Sequence, residues 1–256
     1  MPEHRTADPR ASVRTAVVWD ALDALVDDLR RRTGRAALDV LDVGGGTGGF
    51  AVPLAAAGHR VTVVDASPDA LASLRRRAEE AGVGDRVSAV QADAARLGDD
   101  GSLGAASAHL VLCHGVLEHV DDPAAVVAAV AAVLRPSGAV SVLVAQPVAA
   151  VLHRVVAGRV ADALRMLQAG PPRLDDTDEL PRRLDAAAVA ALLAAAGLAV
   201  ETSHGVRVFA DLVPAAAVDG DVEATRALLA LERLASAQPR FTDLASAVHV
   251  VARAGG

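Results

Sequence analysis

The chain has 256 residues, 52% of them hydrophobic, and a formal net charge of −7. That length and apolar content support a buried core, and the acidity argues against a long polyanion as partner, because such binding rests on neutralising phosphates. No apolar run reaches the roughly 20 residues of a membrane span, and the opening Met1-Pro2-Glu3-His4-Arg5 does not read as a signal peptide. A single cysteine, Cys113, excludes an internal disulfide and suits a reducing compartment, so a cytoplasmic location is expected. Lys, Ile, Asn and Tyr are all absent, which makes every one of the 25 basic residues an arginine. These four residues share AT-rich codons, so genome composition explains the pattern and the choice of Arg over Lys carries no functional information.

Residues 1–10 are polar. From 11 to 32 apolar residues recur at helical spacing (Val13, Val17, Val18, Leu22, Leu25, Leu29) with Arg and Asp on the other face. Trp19 in this helix reads as a core anchor. Arg14 has two readings: a cation reaching over the next segment to a ligand carboxylate, or a surface ion pair.

The apolar run Ala37 to Val43 then ends in Gly44-Gly45-Gly46-Thr47-Gly48-Gly49, and a helical segment from Phe50 to Ala57 follows. Strand, tight turn and helix in that order call for glycine, which tolerates φ > 0 and lets a ligand lie against bare backbone. Twenty-one residues after Gly44, a second strand, Val61 to Val64, ends in Asp65. An acid at that point in a nucleoside-binding α/β fold takes the ribose hydroxyls.

Ser67-Pro68-Asp69 is a helix start, with the helix running to about Ala81 and stopping at Gly82. A third strand (Val87 to Val90) leads into Gln91-Ala92-Asp93-Ala94, where an acid can accept from an adenine amino group or stand as an exposed loop residue. A fourth strand spans His109 to His114. After Gly115 to Pro123 comes a helix to Leu134, then a stop-and-turn at Leu134-Arg135-Pro136-Ser137-Gly138 and a fifth strand, Ala139 to Val144. Five βα repeats predict a doubly wound parallel sheet with ligands at the carboxyl ends of its strands. His114, Glu118 and His119 match no zinc spacing, so no metal is expected; His114 at a strand tip reads as pocket lining and Cys113 as buried filler.

Residues 147–184 break the βα rhythm: Val148 to Leu167 is helical by pattern, and a charged loop follows from Gly170 to Arg183, which suits a lid or substrate cap. Asp185 caps a helix to about Ala196, a strand covers Leu198 to Thr202 and resumes at Val206 to Phe209, a helix runs from Asp221 to about Ser236, and Val248 to Ala252 closes the sheet. No second domain boundary is visible, so 1–256 is expected to be one domain.

The glycines fit two ligand templates. Gly44-x-Gly46-x-x-Gly49 satisfies the dinucleotide fingerprint of nicotinamide-dependent oxidoreductases. Asp42-x-Gly44-x-Gly46-x-Gly48 satisfies the acid-first loop that presents backbone and a carboxylate to S-adenosyl-L-methionine (SAM). With Val64-Asp65, Leu112 to Pro123 and Leu134 to Gly138 added, the chain resembles the class I SAM-dependent methyltransferases. More narrowly it is similar to the bacterial family that methylates the carboxyl group of 5-carboxymethoxyuridine in tRNA, through Arg14-x4-Trp19, Val156-Ala157-Gly158, Gly205 to Phe209 and His249 to Arg253.

That resemblance implies a Rossmann-like seven-stranded sheet with an N-terminal helix and a helical insertion after the fifth strand. It also implies a set of cofactor contacts. Arg14 would hold the SAM carboxylate, Gly44 and Gly45 its methionine portion and Asp65 its ribose, with Asp42, Gly46, Gly48 and Ala66 as further cofactor-binding candidates. Asp93 and Ala94 would flank adenine, and His114 would border the cofactor. Arg207 and His153 are acceptor-side candidates. Where that family carries a lysine run suited to tRNA, residues 173–180 read Arg-Leu-Asp-Asp-Thr-Asp-Glu-Leu, and Ser246 stands where the family has arginine. The expected reaction is therefore methyl transfer to an oxygen, possibly a carboxylate, of a small molecule, with tRNA as the alternative acceptor. A nicotinamide-dependent oxidoreductase and a non-catalytic SAM-binding protein are the competing functions. A carboxylate acceptor needs no base; a hydroxyl or amine would need one, with His114, His119 or His153 as candidates.

Overall fold

The computed structural model describes residues 12–97, 104–169 and 182–255. Helix α1 (Ala16–Thr33) leads into the repeats β1 (Asp39–Val43), α2 (Ala51–Ala56), β2 (Arg60–Asp65), α3 (Pro68–Glu80), β3 (Val87–Gln91) and β4 (Ala108–His114). Next come α4 (Pro123–Val133), β5 (Leu134–Ala145), α5 (Pro147–Val156), α6 (Val160–Ala169) and α7 (Ala186–Ala195). The described chain closes with β6 (Leu198–Val206), α8 (Val222–Ser236), the short α9 (Pro239–Thr242) and β7 (Ala247–Ala254).

All seven strands join one sheet in the order β3-β2-β1-β4-β5-β7-β6. The pairs from β3 to β5 are parallel, while β7 lies antiparallel between β5 and β6. Chain order reverses where β1 meets β4, and open sheets of this kind bind ligands at the carboxyl ends beside such a reversal. Period-two alternation buries the central strands on both faces. Leu110 and Leu112 of β4 pack with Trp19, Leu22 and Leu54 on one side, and Val111 and Cys113 with Val126, Val130 and Leu193 on the other.

The helix starts follow from capping side chains. Ser67 Oγ accepts from Ala70 N, Asp122 from Ala124 N and Ala125 N, Asp185 from Ala188 N, and Asp221 from Ala224 N. Each satisfies backbone donors that a helix leaves open in its first turn.

The structure differs from the sequence reading at three places. The continuous helix over Val148 to Leu167 is two helices, because Gly158 takes φ 74° and Arg159 N turns back to Arg154 O. The stop-and-turn at Leu134 to Gly138 lies within β5 as a bulge: pairing moves from Ala108↔Leu134 to Leu110↔Ala139, with Ser137 at φ 61°. Strand β6 runs unbroken to Val206, bulged between Val200 and Thr202. Most of the charged loop that follows α6 (170–181) lies outside the described residues.

Trp19 is 2% exposed, with its ring 5.0 Å from that of Phe50, which follows the glycine turn. Trp19→Ala is expected to cost about 3–5 kcal/mol through lost burial and a residual cavity, read as a lower urea midpoint at unchanged slope.

Candidate functional site

The glycine turn is built around two carboxylates. Asp65 sits at the end of β2, where Oδ2 accepts from Gly46 N at 2.9 Å and Oδ1 from Ser67 N at 2.8 Å. Gly44 N donates to Val64 O at 2.7 Å, so the turn is stitched to the strand that carries this acid. Beneath the turn lies Asp42, 2% exposed. A Cβ on Gly45 would stand 2.5 Å from Asp42 Oδ2 and 2.9 Å from Val63 Cγ1, and Gly44 combines φ 66° with a backbone pressed against the Val116 side chain. Both positions exclude any larger residue.

Asp42 Oδ2 is buried with no hydrogen-bond partner among the described residues. Burial, with the nearby Asp65 charge, pushes the Asp42 carboxyl up to about 7. An orphaned acid under a turn of bare backbone suits a ligand that brings a cation to this spot.

Over the carboxyl ends of β1, β2 and β3 opens a cavity of about 740 Å³, within the range of small-molecule sites. Gly44, Asp65, Ala66, Asp93 and Ala94 line it, facing Val116, His119 and Val120 from the loop after β4. Asp93 Oδ1 accepts from Ala95 N at 2.8 Å and so caps a short 3₁₀ turn. Gly45, Gly46, Gly48 and Asp42 lie in the turn and the strand below rather than in this lining.

His114 sits elsewhere. Its ring packs edge-on against Phe50 (4.7 Å) and His249 (5.9 Å), and Nε2 bonds Ser141 Oγ at 2.8 Å. Ser141 Oγ in turn lies 2.6 Å from His249 Nε2. Burial holds His114 down to about 3, so the imidazole is neutral and a poor proton acceptor. Glu118 Oε1 accepts from the backbone N of Ala145 at 2.7 Å. No cluster of three or more metal-ligating side chains forms among the described residues.

Residues 40–138 match the family model described as "Methyltransferase domain". The chain is 32% identical to the tRNA 5-carboxymethoxyuridine methyltransferase of Escherichia coli K12, over 95% of its own length and 89% of that protein's. The chain is a SAM-dependent methyltransferase. A ubiquinone biosynthesis O-methyltransferase from Aromatoleum aromaticum is 38% identical over 45% of this chain and 47% of its own. The magnesium protoporphyrin IX methyltransferase of Synechocystis PCC 6803, solved with bound SAH, shares the fold at 16% identity (TM-score 0.58, covering 95% of this chain and 86% of that one).

Past the carboxyl end of β6, Arg14 and Arg207 come together through a residue the sequence did not single out. Asp211 Oδ1 accepts from Arg14 Nη2 at 2.8 Å, and its Oδ2 lies 3.4 Å from Arg207 Nη1. Arg14 is thus in an ion pair, with its side chain 65% exposed. Arg207 has φ 58°, a left-handed backbone that a non-glycine residue adopts only when its surroundings hold it there. The holder is Glu232 of α8, fully buried, whose two oxygens accept from Val208 N (3.0 Å), Phe209 N (2.7 Å) and Ala210 N (2.7 Å). His153 on α5 meets Ser246 Oγ at 3.4 Å. Neither Asp211 nor Glu232 has a sequence signal: each is one acid among many, and its partners lie across the fold.

Asp42 supplies a test. Between its ordinary value of 3.8 and about 7 the folded protein keeps this proton while the unfolded chain has lost it. Stability therefore falls as pH rises through that window, by up to about 1.4 kcal/mol per unit. Asp42→Asn removes the titration, so the variant should gain on the parent between pH 4 and pH 8 in paired urea melts without ligand; equal slopes would refute the shift.

Proposed function

We propose that this enzyme transfers the methyl group to an oxygen of a small molecule, with the 740 Å³ cavity over β1, β2 and β3 as the SAM site. The observation that carries this reading is the Asp65 carboxylate, turned onto the glycine loop at the cavity wall. When bound, SAM supplies a methyl group already activated by its sulfonium. Asp65 and Ala66 then meet the ribose, Asp93 and Ala94 flank adenine, and Gly44, Gly45, Gly46 and Gly48 present backbone to the methionine portion. Asp42, buried below, supplies negative potential where the ligand is cationic. Arg14 is suited to the cofactor carboxylate by exchanging its Asp211 pairing, and His114 borders the cofactor as a neutral ring.

The remaining work of the protein is to orient the acceptor oxygen and exclude water. An acceptor that is ionised at neutral pH, such as a carboxylate, removes the need for a base, which agrees with a His114 held at about 3. Arg207, fixed by Glu232 and Asp211, presents a planar fork to such an oxygen pair. The net charge of −7 and the four acids of residues 173–180 favour a small acceptor over tRNA.

Asp65→Ala removes two charge-assisted bonds to the turn and the proposed ribose contact, so SAM affinity should fall at least ~100-fold in calorimetry. Arg207→Ala should lower turnover by ~100-fold or more while SAM affinity stays within about threefold; lost SAM affinity would refute its acceptor role. Labelled SAM incubated with fractionated tRNA and with small-molecule extracts decides the acceptor: label in tRNA overturns the preference stated above.

A further inference from the structure

Next to Arg207 the fold gathers Arg183 and His153 near one buried serine. Ser246 is 5% exposed, and its backbone N donates to Arg207 O at 3.2 Å. Its carbonyl accepts from Gln146 N at 3.0 Å, and its hydroxyl meets His153 Nε2 at 3.4 Å. Gln146, 1% exposed, is itself anchored to Thr242 O (2.6 Å) and Ala245 O (3.1 Å), and its own carbonyl accepts from Arg183 Nη1 at 3.3 Å. The side chains of Arg183 and His153 and the backbone carbonyl of Arg207 thus meet the Gln146–Ser246 floor from three different segments, and the Arg207 charge is felt at Arg183.

The charges here do not balance. Arg183 is half-buried, and its one hydrogen bond among the described residues goes to a carbonyl. Among the described residues no carboxylate lies within ion-pair distance of it or of Arg154, whose Nη1 bonds Ala150 O. Asp211 already serves Arg14 and Arg207, and Glu118 has spent one oxygen on Ala145 N. Burial and then the neighbouring Arg154 charge hold the Arg183 guanidinium below its ordinary range; Glu118 pulls the other way and Arg207 adds to the lowering. A cation partly taken from water without a counter-charge is costly, and an incoming oxyanion removes that cost.

The backbone holds Arg183 in place. Arg182 N donates to Glu118 O and Leu184 N to Ala145 O, so residues 182–184 bridge the loop after β4 and the end of β5. Arg182 itself braces the loop that lines the cofactor cavity, with Nη1 donating to Val120 O at 2.7 Å. Two successive arginines therefore serve the two sides of the site.

We infer that Arg183, Arg207 and His153 around Ser246 form an oxyanion-binding site, and that the methyl acceptor is a small molecule held there by a carboxylate or phosphate group. The inference rests on the methyltransferase site proposed above and names the chemistry of its second substrate.

The test uses ¹⁵N-labelled full-length protein saturated with SAH, with arginine Nε–Hε signals assigned through Arg183→Gln and Arg207→Gln. The probes are succinate, inorganic phosphate, uncharged succinamide and an unmodified anticodon stem–loop. Succinate or phosphate should move the Arg183 and Arg207 signals along one saturating curve, and whichever saturates at lower concentration identifies the oxyanion. Succinamide should move neither, and Arg183→Gln should weaken the response at Arg207 at least tenfold while SAH affinity stays within threefold. Silence toward both anions, or a response at Arg207 that ignores Arg183→Gln, overturns the site. Saturation by the stem–loop at far lower concentration overturns the small-molecule class. Loss of SAH binding in the parent protein, read by calorimetry on the same sample, would instead sink the cofactor reading.

Discussion

The site depends on one constraint, the close approach of backbone to carboxylate at the end of β1. Asp42 rises under the turn, Asp65 grips it from β2, and the space between admits no Cβ at Gly45. Side-chain-free backbone is the only way to bring three peptide groups and two acids within a few ångströms of one another. The consequence is electrostatic as well as steric. Burial, with the Asp65 charge added, raises the cost of ionising Asp42, whose Oδ2 has no hydrogen-bond partner among the described residues. Such a turn is poorly satisfied on its own and well matched to a ligand with a positive centre and hydroxyls.

Around that turn the sheet supplies rigidity. β1 and β4 are paired on both edges and buried on both faces, so the residues at their tips cannot drift. The loop after β4, which faces Asp65 across the cavity, is held from outside by Arg182. The loop after β6 is held differently. It has no sheet partner beyond Val206, and the buried carboxylate of Glu232 takes its place by accepting three successive N–H groups. A strained backbone at Arg207 is sustained because those bonds, in a dry environment, exceed its cost.

What could be read from the chain was local. Helix starts at Ser67, Asp122, Asp185 and Asp221 are legible because a cap and its donors lie within three residues. The glycine turn and Asp65 are legible for a similar reason, since strand, turn and strand follow one another directly. The break at Gly158 escaped notice because apolar residues keep a helical rhythm on either side of it. Arg14, set down as either a cofactor contact or a surface ion pair, meets Asp211 at a separation of 197 residues. No periodicity encodes such a pairing, and the same holds for Glu232. The composition misled nowhere, but it hid something: with every base an arginine, residue type could not distinguish a structural cation from a binding one.

Partners make that distinction where residue type does not. Arg233, exposed on α8, has both ends of its fork on Asp20, and Arg253 is shared between Glu201 and Asp28. These cations are neutralised within the fold and tie α1 to α8 and to β7. Arg183 differs: its charge is half-buried, faces like charges and leans on a carbonyl. Folding alone gives no reason to retain a charge in that position, since an apolar or amide side chain would cost less there. A cation with no ion-pair partner among the described residues, beside a second whose loop is held by a buried glutamate, is what the proposed oxyanion-bearing acceptor would complete.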